Sequence, residues 1–388
     1  MKKVLIFSLA YYPYVGGAEV AIKEITDRIS PNDIEFHMVT QRFSVRSLRY
    51  EQIGHVHVHR IGRGMGRLAK FLFQFFAALT ALRLNRRWHF EGIWAMMAHS
   101  SGVPAALFKL VHPRMPMVLT LQEGDPPAQV EHTMWPLWPL FSRAFTHTDA
   151  VQAISTFLGE WARRRHFTGP LEIIPNGVDT VRFAKVFTPE EREAARQELE
   201  VSSNDVLLVT TSRLVRKNAT DDTIRALAHL PSQVHFIIYG IGPDEAMLKT
   251  LAAELKVENR VHFMGQISHE AMLRALAACD IFIRPSRSEG MGNSFIEAMA
   301  AGLPIIATQE GGIADFLFDA KRNPDKETTG WAVDADAPEQ IAHAVEDIRA
   351  NPGVARAVVE QAKNLALEHY DWNLITGKMH ALFDKLLV

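Results

Sequence analysis

Two glutamates, Glu289 and Glu297, bracket a glycine-rich turn in RPSRSEGMGNSFIEAMAAG, the segment from Arg284 to Gly302. An ionised carboxylate accepts hydrogen bonds in pairs, which suits the neighbouring hydroxyls of a sugar. Gly290 and Gly292 let the backbone come close to a bound molecule, and the N–H groups of a helix starting near Asn293 and Ser294 would face an anion or a polyol. In that arrangement Glu297, in the first helical turn, would hold a ribose diol and Glu289 the hydroxyls of a hexose. The same spacing also fits a solvated loop followed by a glutamate that favours the positive end of a helix.

Other residues suit the same chemistry. Arg213 and Lys217, in TSRLVRKNATDD, follow an apolar run. At a strand's carboxyl end two fixed cations could neutralise a departing diphosphate, although Lys and Arg are more often solvated surface charges. Gly16 and Gly17 lie between the first apolar run and a helix expected from about Ala18. Their N–H groups could cradle a phosphate or approach a sugar, and a bare Gly-Gly can equally be a plain turn. Gly240 and Gly242, in YGIGPDE, leave room for close packing against a ligand. His99, in AMMAHSSG, stands at a further strand end, where it could touch an acceptor or serve as a structural hydrogen-bonding residue. His55, His57 and His59 alternate along one strand face, but with no nearby carboxylate or cysteine a zinc site is not expected.

These residues need a scaffold, and the chain supplies one. Its 388 residues are enough for two or three domains, and 47% hydrophobic with 22% charged residues is ordinary for a globular protein. A formal net charge of -2 gives no reason to expect nucleic acid, so an anion site must be a local cluster of Arg and Lys. The single cysteine, Cys279, excludes an internal disulfide and a multi-cysteine metal centre. The N-terminal MKKVLIFSLAYYPYVGG reads as a strand ending in a loop rather than a signal peptide, and no stretch reaches the roughly 18 to 20 apolar residues that cross a bilayer. A cytoplasmic protein, or one bound to the inner face of the membrane from the side, is expected.

Strand-like runs alternate with helix-length runs throughout. Val4 to Leu9, Phe36 to Thr40, Val56 to Ile61, Ile93 to Ala98, Val118 to Leu121 and Val151 to Ile154 read as strands of a first half. Val206 to Thr211, His235 to Tyr239, Val261 to Met264, Ile281 to Arg284 and Ile305 to Thr308 do so in a second. Alternation of this kind predicts an α/β protein of two doubly wound, Rossmann-like domains, with ligands at the carboxyl ends of the strands in the cleft that they face. The junction is expected near Val181 to Asn204, around the charged TPEEREAARQELE. Leu68, Phe71, Leu72, Phe75, Phe76, Leu79 and Leu82 recur at helical spacing, with Arg63, Arg67, Lys70, Arg83, Arg86 and Arg87 around the ends. The favoured placement packs this stripe on the first sheet. The alternative lays residues 63–87 on an anionic membrane surface beside a lipid-linked acceptor.

Taken in order, IIPNGVDTVRF at Ile173 to Phe183, SRLVRKN, YGIGPDE, SEGMGNSFIEAMAAGLPIIAT and the Gly311–Gly312 pair resemble the family 4 glycosyltransferases, over nearly the whole chain and most strongly from Ile173 to Gly312. The resemblance implies the GT-B fold, with an acceptor domain at 1–179 joined by a C-terminal helix at 371–388, and a donor domain at 180–370. It implies a retaining, metal-independent transferase moving a sugar from a nucleoside diphosphate to a hydroxyl of a glycan or lipid-linked glycan, with no cofactor. Arg213 and Lys217 would bind the diphosphate, Glu297 the ribose and Glu289 the transferred sugar, with Gly16, Gly17, Gly242, Gly292, Asn293 and Ser294 lining the donor site. Backbone groups near Gly265 and Gln266 would meet the base. Many relatives carry a histidine after the strand Met117 to Leu121, where this chain has Gln122 in LTLQEGDPP. Gln122 could position the sugar, Glu123 or Asp125 could have taken over, or activity could be weak or lost. A non-catalytic sugar-nucleotide-binding protein and a GT-B epimerase are the rival readings.

Overall fold

The computed structural model describes residues 1–183, 185–199 and 201–387. Ala184 and Glu200, inside the expected junction, and Val388, at the end of the expected C-terminal helix, lie outside the described residues. The chain divides into two compact units, Met1–Asn176 with Trp372–Val388, and Gly177–Asp371.

The first unit is built on eight strands: β1 (Lys2–Phe7), β2 (Ile34–Gln41), β3 (Tyr50–Ile53), β4 (Val56–Ile61), β5 (Gly92–Met96), β6 (Met117–Leu121), β7 (Ala150–Ala153) and β8 (Leu171–Ile173). Their order is β3-β4-β2-β1-β5-β6-β7-β8, parallel except for β3 on β4. The central strands are apolar on both faces because helices cover both. Val4, Ile6, Phe36 and Met38 pack with Ile22 and Ile25 of the Gly17–Arg28 helix and with Trp372, Ile375, Met379 and Phe383 of the Trp372–Leu386 helix. On the opposite face Phe7 meets Phe108 of the Val103–Val111 helix, ring centroids 6.2 Å apart.

The second unit carries β9 (Val206–Thr211), β10 (Val234–Tyr239), β11 (Val261–Gly265), β12 (Ile281–Arg284), β13 (Ile305–Ala307) and β14 (Trp331–Ala332), in the order β11-β10-β9-β12-β13-β14 and all parallel. Leu208, Phe236, Ile281 and Ile306 meet Ile224, Leu227, Ile341 and Val345 on one face. On the other, Phe282 meets Phe295 of the Asn293–Ala300 helix edge to face at 5.5 Å.

Among the parallel strands of each sheet the order reverses once, between β1 and β5 in the first and between β9 and β12 in the second. At such a reversal the two adjacent loops diverge at the carboxyl ends of the strands and leave a crevice. Topology therefore singles out the loops after β1, β5, β9 and β12.

Three expectations need correction. The strand expected to run to Ala98 ends at Met96, because Met97 takes a left-handed φ of 67° and the chain enters a single π-helical turn at Ala98–Gly102. The Arg67–Trp88 helix buries Phe73, Gln74, Ala77, Ala78 and Ala81. Most of the apolar stripe expected to pack on the sheet faces outward, with Leu68 70%, Phe71 44%, Leu72 39%, Phe76 51% and Leu79 51% exposed. Small alanines allow the helix to lie close to the sheet, and the bulkier residues then have to point away. The third concerns the three histidines: β4 begins at Val56, so His55 lies before it and its ring turns to the Thr26 and Ile29 carbonyls.

Candidate functional site

In the second unit the crevice is organised around Arg284, the last residue of β12. Its guanidinium is buried, donating to Ser294 Oγ at 2.8 Å and to Glu289 Oε2 at 2.8 Å, and it lies 4.2 Å from the centre of the Phe295 ring. Burial weakens its hold on the proton, and the charges of Glu289 and Glu297 oppose that shift. Glu289 Oε1 also accepts from the Gly290 N–H at 3.0 Å. Glu297 is buried and lies in the second turn of its helix, not the first. No side chain caps that helix, whose N-cap is Gly292 at φ 87°. A Cβ at Gly292 would fall 2.4 Å from the Arg284 guanidinium and 2.6 Å from the Phe295 ring, so only glycine fits this turn. Behind it, Gly312 N–H donates to the Glu289 carbonyl at 3.0 Å, and a Cβ at Gly311 would stand 2.1 Å from that oxygen.

The β9 loop meets the β12 loop directly. Arg287 N–H donates to the Lys217 carbonyl at 2.7 Å, and the Arg287 guanidinium grips Asp221 with two bonds of 2.9 and 3.0 Å, Asp222 at 2.9 Å and Asp336 at 2.7 Å. Three carboxylates share one guanidinium. Burial and the charge of Asp221 push the Asp222 carboxyl up to about 6, beyond what Arg287 offsets. Arg213 is exposed and Lys217 half-buried. Beside them the hydroxyls of Thr211, Ser212 and Ser286 and the Arg284 Nε have no protein partner among the described residues. Gly242 follows β10 and the exposed Gln266 follows β11. Cβ atoms at Gly240 and Gly242 would lie 1.8 Å from the Ser212 carbonyl and 2.1 Å from the Leu214 carbonyl. Both glycines are therefore required by the approach of the chain's own backbone.

Sequence reasoning named the carboxylates and the two cations of this crevice but gave no role to Arg284, Arg287 or the hydroxyls. Arg284 opens the segment read first, yet an arginine's burial leaves no mark on its spacing.

In the first unit the loop after β1 runs to Gly16 and Gly17. The helix starts at Gly17, and the Gly16 N–H, expected to face a phosphate, already donates to Glu19 Oε2 at 2.7 Å. Burial raises the Glu19 carboxyl, and backbone hydrogen bonds oppose the shift. After β6 the Gln122 amide pairs with that of Asn176, with bonds of 3.0 and 3.3 Å, which fixes its orientation. Glu123 is buried at 2% exposure and accepts from the N–H of Ala98 at 2.6 Å, the N–H of Gln122 at 3.0 Å and His99 Nδ1 at 3.3 Å. It thus holds the strained turn after β5 and brings His99 to the crevice. Asp125 is exposed.

His37 of β2 adds to the histidine row, with Glu35 Oε1 2.6 Å and His59 Nε2 3.2 Å from its two ring nitrogens. A carboxylate is thus present after all, and Glu35, His37 and His57 cluster closely. The rings of His37 and His57 are stacked at 4.7 Å with 26° between planes. Glu35, His37 and His59 form a hydrogen-bonded chain beside Trp88, with His57 stacked on His37.

Residues 15–182 match the model of Glycosyltransferase Family 4, and residues 191–365 match that of Glycosyl transferases group 1. A GDP-mannose-dependent alpha-(1-6)-phosphatidylinositol monomannoside mannosyltransferase of Mycolicibacterium smegmatis is 32% identical over 265 residues, covering 64% of this chain and 67% of that protein. The chain belongs to the family 4 glycosyltransferases. A D-inositol 3-phosphate glycosyltransferase of Mycobacteroides abscessus is 29% identical over 245 residues, 62% of this chain and 51% of its own length. The matches thus span from about half to two thirds of these relatives. Among solved structures, sucrose-phosphate synthase from Thermosynechococcus elongatus superposes with a TM-score of 0.84 over 100% of this chain and 99% of its own, at 19% identity. Anabaena HepE in complex with UDP and glucose gives 0.82 over 100% of both chains, at 21% identity. The fold is GT-B.

Two measurements test the electrostatics of this glycosyltransferase's second unit. Arg284→Met leaves Glu289 and Glu297 without their buried cation and is expected to cost about 3–5 kcal/mol in urea unfolding, with Arg284→Lys costing less. Unchanged stability in Arg284→Met would show that the guanidinium organises nothing. For Asp222 the folded carboxyl, at about 6 against an ordinary 3.8, keeps a proton that the unfolded chain releases. Stability should therefore fall as pH rises from about 4 to 6, by about 3 kcal/mol relative to Asp222→Asn, and run parallel above that window. Parallel curves throughout would contradict the shift.

Proposed function

We propose that this glycosyltransferase moves a sugar from a nucleoside diphosphate to a hydroxyl acceptor with retention of anomeric configuration and without a bound metal. The observation that carries the reading is the crevice at the β9/β12 reversal, where Arg213 and Lys217 stand beside a buried Arg284–Glu289–Ser294 cluster and Glu297. Arg213 and Lys217 bind the diphosphate and balance the negative charge that grows as the bond from the anomeric carbon to phosphate breaks. Glu297 holds the ribose hydroxyls. Glu289 keeps acceptor capacity on both oxygens after bonding Arg284 and Gly290, since a carboxylate offers about four lone-pair directions, and it holds the transferred sugar. The acceptor oxygen attacks on the face that the phosphate leaves, and its proton passes to the departing phosphate oxygen. Gly242, Gln266, Gly292, Asn293 and Ser294 shape the rest of the donor site. In the first unit Gly17, Gln122 and His99 face the acceptor side. The name of the phosphatidylinositol monomannoside mannosyltransferase makes GDP-mannose the donor to try first and a phosphorylated glycolipid the acceptor class.

The test is thermal stabilisation of the purified chain by a panel of nucleotide sugars without added metal. One donor should raise the unfolding temperature selectively, and Glu297→Ala and Arg213→Ala should each abolish the shift. Stabilisation by no donor, in a folded protein, would favour a non-catalytic role.

We further propose that residues 63–87 rest on an anionic membrane at the inner, cytoplasmic face. No described helix is long and apolar enough to cross a bilayer. The support is the outward face of Leu68, Phe71, Leu72, Phe76 and Leu79 with Arg63, Arg67, Lys70, Arg83 and Arg86 exposed around it. Flotation with anionic vesicles should recover the wild type, and Phe71→Ser/Phe76→Ser should stay behind. Equal recovery of both would remove the helix from the interface.

A further inference from the structure

The first unit holds a charged cavity that the donor chemistry does not use. Arg42 follows β2, Arg49 precedes β3, Arg60 lies on β4 and Arg63 follows it, and with Ile61 and Gly62 these four arginines line a cavity of about 420 Å³. A larger cavity of about 640 Å³, among Lys2, Phe90, Val111 and Pro116, opens at the amino ends of β1 and β6, the edge opposite the crevice. The arginine cavity is at the carboxyl edge.

Its charge is poorly compensated. Arg60 is 5% exposed and held by the Leu48 carbonyl at 3.2 Å, the Tyr12 carbonyl at 2.6 Å and Glu51. Arg42 donates to the Ser47 carbonyl at 2.8 Å and the Val45 carbonyl at 2.5 Å. Carbonyls orient a guanidinium but carry no net charge, so among the described residues Glu51 is the one carboxylate set against this cluster. Arg49 and Arg63 are exposed and make no ion pair among the described residues. Like charges gathered around one cavity repel, and an anion with several acceptor oxygens relieves the repulsion while meeting planar donors that suit phosphate.

Two neighbours identify what carries that anion. The Arg60 bond to Tyr12 ties the cavity to the loop that leads to Gly16 and Gly17, on the acceptor side of the reading above. Two residues beyond Arg63 the exposed apolar surface begins, with Met65 61% and Leu68 70% exposed, followed by Phe71 and Leu72. A phosphate site that borders an exposed apolar helix face fits an amphiphile. We infer that Arg42, Arg49, Arg60 and Arg63 bind the phosphate of a lipid-linked acceptor, whose apolar part lies along the outward face of the Arg67–Trp88 helix. The word acceptor rests on the transferase reading; the anion site does not.

The test uses the full chain and two arginine pairs, both exposed. Glycerol 3-phosphate is titrated at fixed ionic strength into the wild type, Arg49→Ala/Arg63→Ala and Arg83→Ala/Arg86→Ala, the last controlling for general surface charge. The Arg49/Arg63 pair should weaken binding roughly tenfold or more and the control pair should not. No binding to the wild type, equal affinity in all three, or equal loss in both pairs overturns the site. Flotation with phosphatidylglycerol in phosphatidylcholine separates the sources. A larger loss in Arg49→Ala/Arg63→Ala than in Arg83→Ala/Arg86→Ala, whose arginines also flank the outward helix face, supports a lipid headgroup, whereas equal flotation with the titration difference intact overturns the lipid and leaves a soluble phosphoester. Stabilisation by a nucleotide sugar is read separately. It should survive in Arg49→Ala/Arg63→Ala, and its absence in the wild type would count against the donor reading alone.

Discussion

The burial of one guanidinium, that of Arg284, constrains the crevice of the second unit more than any other interaction. A charge removed from water costs several kcal/mol unless it is paired and hydrogen-bonded. The chain supplies the partners within thirteen residues, Glu289 and Ser294 as bonded groups, Phe295 as a face and Glu297 as a nearby charge. Meeting them forces the loop to fold back over the end of β12. That reversal needs a left-handed turn with no side chain, at Gly292, and room for the Glu289 carbonyl, at Gly311. The glycines that would admit a ligand are thus first required by the arginine, and the open helix N-terminus is a consequence of the same turn.

The two reversal points use opposite charges. In the second unit two cations, the buried Arg284 and the half-buried Arg287, draw carboxylates from the loops around them. In the first unit a buried anion, Glu123, gathers two backbone N–H groups and the His99 ring. A cation-centred crevice keeps carboxylate oxygens at its surface, which suits sugar hydroxyls. An anion-centred one leaves amides and a histidine there, Gln122 and Asn176 among them, so sheets of similar topology present different chemistry.

The parallel strands were legible because burial on both faces writes them as continuous apolar runs, as in VLIF at β1 and IFI at β12. β3, β8 and β14 were not, since short strands that are half-exposed carry mixed residues, as in YEQI, LEI and WA. Two doubly wound domains followed from the alternation, and the GT-B fold from the family resemblance that the ordered motifs carry. Glu289 and Glu297 stood out by type and spacing, whereas Arg284 reads like any strand-end arginine until its neighbours in space are known. The Arg67–Trp88 helix shows the limit of periodicity. Its apolar residues cover more than one face, and spacing identified a stripe without saying whether that stripe or the alanines at 77, 78 and 81 turned inward.

That inversion bears on how a near-neutral chain handles anions. A net charge of -2 over 388 residues averages away local clusters, and the four arginines of β2 to β4 are such a cluster. Exposed Leu68, Phe71, Leu72, Phe76 and Leu79 would favour association if left to water. On the membrane reading proposed above, arginine beside them has two effects, keeping the surface soluble and attracting anionic headgroups. Close packing through alanine sets the apolar face outward, and the charged end of the same segment decides which surface that face can meet.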